Sequence, residues 1–408
     1  MEFDPFSAEY FDGAYDTFRW MRDEAPLYHN LDLGFYALSR WEDVQSALRD
    51  CVTFSSGEGV TLPQLNNPEF KGVAHTPGAM LFYDPPDHTR LRNLTKTAFT
   101  ARAVSQLEVL IRRLTSQYLE RFGDGAEFDF VDDFSTRFTA DAVSALLGVP
   151  ESDRDLVWRL CDDFIYAGEG HEAKSASAQL QVYEYFSALV AERRAHPDRD
   201  PDDVVSSLIR AAYVDENGER HSLSDAEICG YCFLLYLAGT ETTARLLGSA
   251  VVEFDRHPDQ WRRLRDDPTL IPSAVEEIGR YAPPAQYLGR RVTRDVAIHD
   301  QVIPQGATLL LLIAAANRDE RVFPAPDTFD ITRKNARPPC TFGVGPHTCL
   351  GMNIARLEAR VALEEILKSW YDFEIDHTRL VRTQNVNLLG YSNVPLKPIR
   401  MPALESNR

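Results

Sequence analysis

The sequence predicts a mainly helical protein with small β-sheets, an α+β arrangement in one large domain over residues 1–408. Three observations predict it. Apolar residues recur at three-and-four spacing over long stretches. Strand-like runs are short and fall mostly late in the chain, after most helices. From Ile228 to Thr240 the chain carries no charge and is apolar on every face. That run is too short to span a bilayer and predicts a helix buried at the centre of a large protein.

In chain order, Gly34 to Leu38 predicts a strand, and Ser39 with Glu42 a capping box opening a helix through Leu48. Gly57 to Met80 is rich in Gly, Pro and Asn and reads as a lid or binding loop. After the turn Asp84-Pro85-Pro86, His88 and Arg92 are i,i+4 neighbours on one helical face. Val104 to Phe122 and Asp153 to Arg194 carry helical spacing, and Asp198 to Asp203 is a charged, proline-containing turn. A second capping box, Ser224 with Glu227, opens the central helix, which runs toward Pro258. Glu277 and Arg280 lie i,i+3 on a helix ending near Pro283, a spacing common in simple surface pairs. Arg290 precedes the strands Val296 to Ile303 and Thr308 to Ala315, and Leu350 to Trp370 predicts the last helix.

The formal net charge of -19 favours solubility and argues against nucleic acid or anionic lipid as a partner. Six sparse cysteines (Cys51, Cys161, Cys229, Cys232, Cys340 and Cys349) point to a reducing compartment rather than a disulfide framework. The start, Met1-Glu2-Phe3-Asp4-Pro5, has neither a basic region nor an apolar run, so no signal peptide or membrane anchor is expected and the location is cytoplasmic. Cys229-x-x-Cys232 lacks a second pair at zinc spacing and reads as core packing.

Two segments carry chemistry. The buried helix contains Ala238-Gly239-Thr240-Glu241-Thr242-Thr243. Threonine hydroxyls bond back to the preceding turn and bend a helix, and Gly239 weakens the same turn. A local opening beside an acid and a hydroxyl makes a proton relay; on this helix alone, a salt bridge or surface position for Glu241 is the simpler reading. The second segment is Phe342-Gly343-Val344-Gly345-Pro346-His347-Thr348-Cys349-Leu350-Gly351. Its glycines allow close backbone approach, and a helix follows. Cys349 therefore sits at a helix N-terminus, where the dipole favours a thiolate. A dinucleotide loop does not fit, because Thr348 stands where the third glycine belongs and Pro338-Pro339 replaces the buried strand.

Together these residues resemble the bacterial, soluble cytochromes P-450 over essentially the whole chain. Phe342 to Gly351 is similar to the family's haem-cysteine loop, and Ala238 to Thr242 to its oxygen-activation motif. Glu277 to Arg280 is similar to E-x-x-R, with Arg333 as third member, and His88 with Arg92 to the H-x-x-x-R pair. The resemblance implies haem b (iron protoporphyrin IX) with Cys349 as axial ligand. His88, Arg92, Arg290 and His347 would hold the propionates, with Arg291 the rival for Arg290. Glu241 and Thr242 would deliver the protons that oxygen activation consumes; the family often has Asp where Glu241 stands. Glu277, Arg280 and Arg333 would be structural. Leu234, Leu237, Ala238, Gln286, Leu288 and Leu388 would line the pocket with the Gly57 to Met80 lid.

The implied function is insertion of one oxygen atom of O2 into a hydrophobic small molecule, a terpenoid or steroid before a fatty acid, by a monomeric enzyme. With no flavin fingerprint or iron–sulfur cysteine cluster in the sequence, electrons come from another protein, in the family a ferredoxin with its reductase. Between His88 and Arg113 the basic residues Arg90, Arg92, Lys96, Arg102, Arg112 and Arg113 face the single acid Glu108, and Arg333, Lys334 and Arg337 add to them. Lys96, Arg102, Lys334 and Arg337 are the expected docking patch. Two other classes compete: a peroxide-using haem peroxygenase, against which an intact Glu241-Thr242 pair argues, and a non-enzymatic haem sensor or carrier, which needs no relay or lid.

Overall fold

Ser224 opens the central helix as the sequence predicts. Its hydroxyl accepts from the Glu227 N–H, while the Glu227 carboxylate accepts from the Ser224 N–H at 2.8 Å. In the computed structural model the helix runs unbroken over Asp225–Arg256, 32 residues, a length of about 48 Å at 1.5 Å per residue. The structure describes residues 1–67, 76–99, 104–122, 125–165, 172–198, 203–214 and 217–400.

Apolar positions on every face let this helix pack all round. Arg137–Leu147, Glu172–Ala195 and Met352–Ser369 lie against it, and together they enclose the largest core. Cys229 and Cys232 are buried in that core, and no metal-binding cluster occurs among the described residues. No helix among them is long and apolar enough to cross a membrane.

A five-stranded sheet joins the start of the chain to its later part. Its order is Leu27–Asn30, Phe35–Leu38, Thr308–Leu311, Leu288–Val292, Phe54–Ser55. Phe35–Leu38 and Thr308–Leu311 run parallel and the other pairs antiparallel.

Several elements differ from the sequence expectation. The helix Trp41–Arg49 starts after Arg40 and lacks the expected box. Asp319, distant in sequence, accepts from the Trp41 N–H at 2.9 Å, and the Ser39 hydroxyl is buried without a partner among the described residues. Val296 to Ile303 is a hairpin, Val296–Ile298 against Gln301–Ile303, because the chain turns at His299 with φ 53°. The strand from Thr308 stops at Leu311, and Ile313–Ala316 is a helical turn. Arg290 lies within a strand, not before one. The helical stretch from Asp153 divides into Arg154–Ile165 and Glu172–Ala195. The loop after Gly57 contains a short capped helix, Leu62–Asn66; its residues 68–75 lie outside the described residues, as do 199–202 of the charged turn.

Candidate active site

The loop before Cys349 folds back on itself. Cys349 N–H donates to the Phe342 carbonyl at 2.8 Å, and Gly343 N–H to the Cys340 carbonyl at 2.8 Å. Gly345 has φ +79°, and a Cβ there would lie 2.9 Å from both the Arg49 Cα and the Leu48 carbonyl oxygen, so only glycine fits against that helix end. Two residues past the cysteine, Gly351 caps the helix Met352–Ser369.

Cys349 sits deep in the protein yet keeps open surface, so its sulfur faces an internal cleft. Burial pushes its thiol above the ordinary range, outweighing the N–H groups of Gly351 and Met352 and the charges of Arg92 and Arg356. The N–H groups at the helix end pull the thiol toward the thiolate, as the sequence expectation has it, but burial is the larger effect. A bound metal cation deprotonates a coordinating thiol outright.

The four basic candidates meet in one place. The His88 and His347 rings lie 4.1 Å apart at 44°. His88 Nδ1 and His347 Nε2 are buried without hydrogen-bond partners among the described residues. Arg290, 2 % exposed, donates among the described residues only to the carbonyl of its neighbour Gly289, at 2.8 Å. Burial depresses all four: Arg290 falls to about 10 and His347 to about 3, the latter also repelled by His88, Arg290 and Arg92. Arg92 and His88 are lowered, again chiefly by burial. Among the described residues neither Arg92 nor Arg290 has a carboxylate ion pair. Asp84 acts on Arg290 and His88 only from beyond ion-pair distance; desolvated cations so weakly compensated are costly, and the two propionates of haem b would supply the missing charges, so the residues fit the group. The neighbouring Arg291 is engaged elsewhere, with Glu58 at 3.2 Å and the Gly306 carbonyl at 2.8 Å.

On the central helix, Ala238 and Thr242 share one line. Ala238 is exposed to the cleft, and the Thr242 hydroxyl donates to its carbonyl at 2.7 Å. Glu241 stands on the adjacent line, buried, with Arg245 Nη2 at 3.4 Å. The helix is not opened here; Thr139 donates to the Thr240 carbonyl at 3.0 Å from a neighbouring helix. Arg245 was missed in the sequence, although its i,i+4 spacing from Glu241 was visible there.

Glu277 and Arg280 form a bidentate pair, 2.7 Å at both contacts, at 1 % and 0 % exposure, not a surface pair. Arg333 Nε adds a third contact to Glu277 at 3.2 Å. The two arginines also bind the carbonyls of Asn317, Pro324, Ala325, Pro326 and Thr328, tying down the chain that leads to the cysteine loop.

The pocket candidates are less uniform. Leu234 packs with Val60 and Ala79 from the lid segment and with Phe82 just after it. Leu388 and Ala285 are bridged, and Leu288 is half-buried at the start of its strand. The Gln286 side chain is buried, and its amide nitrogen donates to the Pro283 carbonyl at 2.6 Å. Leu237 borders a smaller cavity beside Glu241.

The family model described as Cytochrome P-450 matches residues 125–398. This chain belongs to the cytochrome P-450 family. It is accordingly a haem-b monooxygenase. The protein named cytochrome P-450 123 in Mycobacterium tuberculosis is 37% identical over 96% of this chain and 96% of its own. The structure of CYP109E1 from Bacillus megaterium in complex with corticosterone superposes with a TM-score of 0.83 at 26% identity, covering 96% of this P-450 and 99% of that chain. The open structure of Eryk from S. erythraea gives 0.84 at 32%, covering 97% and 98%, and a mutant of that protein was solved with erythromycin B.

Proposed function

We propose that this P-450 inserts one atom of O2 into a neutral, hydrophobic molecule, a terpenoid or steroid before a fatty acid, with electrons from a ferredoxin and its reductase. One observation carries the substrate reading. Of the residues expected around the cleft, Leu234, Ala238, Leu288 and Leu388 are apolar and Gln286 is neutral, so none of them is a basic anchor for a carboxylate. The corticosterone complex of CYP109E1 is consistent with that class.

Haem, when bound through a thiolate, supplies oxygen activation and O–O cleavage. Cys349 would ligate its iron, and His88, Arg92, Arg290 and His347 would hold its propionates. Thr242 would present its hydroxyl to the reacting oxygen from the cleft-facing line, and Glu241 would pass protons to it. A panel of terpenoids, steroids and fatty acids, scored by displacement of the iron's axial water in the visible spectrum, tests the substrate class. Neutral ring compounds should act at the lowest concentrations; a response confined to fatty acids overturns the reading.

The docking patch is smaller than counting along the chain suggests. Arg90 pairs with Glu227, and Arg112 with Glu108, Glu364 and Glu365. Arg333 is bound to Glu277, and Arg102 lies outside the described residues. Lys96, Lys334 and Arg337 are exposed and without ion pairs among the described residues, with Arg337 over the Trp41 ring. These three would steer an acidic ferredoxin. Reduction by such a donor should slow with salt, and slow further in Lys334→Glu/Arg337→Glu; indifference to both removes the patch from the docking face.

A further inference from the structure

Beside the cleft-facing line of the central helix lies a small cavity of about 30 Å³, bordered by Asp162, Thr136, Tyr236, Thr240, Glu241 and Arg245 among others. A space of roughly 10–15 Å³ holds one water if two to four polar groups surround it. This one has room for about two by the same measure, and polar groups for them. Asp162 and Glu241 both border it. The Thr240 hydroxyl, on a residue 7 % exposed, has no hydrogen-bond partner among the described residues. Asp162 sits on the helix Arg154–Ile165, only half-buried, so one wall of the cavity reaches toward solvent while Glu241 forms its buried end.

We propose that this cavity is the proton inlet of the enzyme. Asp162 takes a proton from solvent and passes it, through water held by Thr240, to the Glu241 carboxylate. The inference rests on the reading of Glu241 and Thr242 as the relay and extends that relay outward to the surface.

The chemistry balances. Oxygen insertion consumes O2, two protons and two electrons per substrate and releases one water, with the electrons supplied by the redox partner. At the inlet only protons move. An O–H bond of the Asp162 carboxyl breaks as one forms on the bridging water, and that water gives up a proton to form the O–H of Glu241. Solvent then reprotonates Asp162.

The electrostatics suit the role. Asp162 is raised by burial first, then by Asp163, Asp132 and Glu241, against the opposing charge of Arg137. A carboxyl so placed holds a proton more readily than an ordinary one. At the far end, the 3.4 Å separation between Arg245 and Glu241 is longer than a charge-assisted hydrogen bond of about 2.7–2.9 Å. Arg245 is meanwhile fixed to the Tyr391 carbonyl by its other guanidinium nitrogen.

The test compares Asp162→Asn, Asp162→Glu, Thr240→Val and Glu241→Gln in the haem-loaded enzyme at saturating substrate and fixed electron supply. Peroxide and product are measured across pH and in deuterated solvent. Separately from turnover, the protonated-carboxyl infrared band lost in Asp162→Asn is titrated in the wild type and in Glu241→Gln. Asp162→Asn and Thr240→Val should each cut coupled product formation about tenfold, less than the roughly hundredfold or more of direct proton transfer at the reacting group, because they act one step upstream of it. They should also raise peroxide and enlarge the solvent isotope effect. Asp162→Glu should restore coupling, and the infrared band should titrate at lower pH once the Glu241 charge is gone. If Glu241→Gln uncouples the enzyme while Asp162→Asn and Thr240→Val do not, protons enter elsewhere and the relay stands. If Glu241→Gln stays coupled, the relay fails and the inlet with it. Equal losses in Asp162→Asn and Asp162→Glu with an unchanged isotope effect would mark Asp162 as merely structural and overturn the inlet.

Discussion

Removing Glu277 should destabilise the protein more than most single substitutions. Its carboxylate accepts from Arg280 twice at 2.7 Å, from Arg333 at 3.2 Å and from the Asp330 N–H at 3.0 Å. In Glu277→Ala the Arg280 guanidinium, 0 % exposed, keeps three carbonyl partners but loses its counter-charge. Breaking one partner of a buried pair costs about 3–5 kcal/mol. Taking about 4 kcal/mol, the folded-to-unfolded ratio falls on the order of a thousandfold at 1.4 kcal/mol per factor of ten. Arg333→Ala removes hydrogen bonds to a charged group at the edge of the network and should cost less, about 1.5–3 kcal/mol. The double variant Glu277→Leu/Arg280→Met should not recover stability, because the carbonyls of Asn317 and Pro326 lose their Arg280 donor and Arg333 loses its carboxylate partner. The assay is urea unfolding of the haem-loaded protein, followed by far-ultraviolet ellipticity and by the Soret band, since loss of cofactor and loss of helix need not coincide. A loss below about 1 kcal/mol in Glu277→Ala, against the magnitude for a broken buried pair, or full recovery in the double variant, refutes the reasoning.

Cys349→Ala should abolish the strongly red-shifted Soret band of the reduced carbon monoxide complex, and retention of that band would remove Cys349 as the ligand. Gly345→Ala forces a Cβ to 2.9 Å from the Arg49 backbone at a positive φ; backbone strain of about 1–3 kcal/mol should appear as faster haem loss to an acceptor globin. Thr242→Ala should keep haem and substrate binding while diverting electrons to peroxide, measured as nicotinamide consumed against product; tight coupling would exclude the hydroxyl from the relay. Glu358 is raised by burial to about 8 from an ordinary value of 4.5. The folded state thus binds this proton more tightly than the unfolded one, and the contribution to stability falls as pH rises between those values. Glu358→Gln should flatten that fall in denaturant midpoints measured at pH 5 and pH 8, and an unchanged slope would contradict it.

The sequence exposed what is local and hid what is long-range. The charge-free run from Ile228 and the Ser224-Glu227 box lie within a few turns of one helix, so its centre and its start could be read directly. The cysteine loop was legible because its glycines and its helix are contiguous with the cysteine. The cap of Trp41 could not be read, because Asp319 arrives from 278 residues away in the chain. The same cause misled the charge count. Glu227, Glu364 and Glu365 neutralise Arg90 and Arg112 from segments far away in sequence. The hairpin at His299 was missed because the Val296 to Ile303 run has no glycine to announce a turn, and His299 adopts the left-handed region itself. Arg245 belongs to a different class, since its spacing from Glu241 was plain and only its function went unasked.

Arg290 and Arg291 are consecutive in one strand and so point to opposite faces. One reaches into the basic cluster beside His88 and His347. The other holds Glu58 and the Leu65 carbonyl of the loop over the cleft. Point substitutions elsewhere in the strand leave this division of labour intact. A single-residue insertion or deletion that slid the strand against Thr308–Leu311 would exchange the two guanidiniums at one stroke, stripping the cluster and the loop together. Drift or library design along Leu288–Val292 should therefore tolerate changes of residue far better than changes of length.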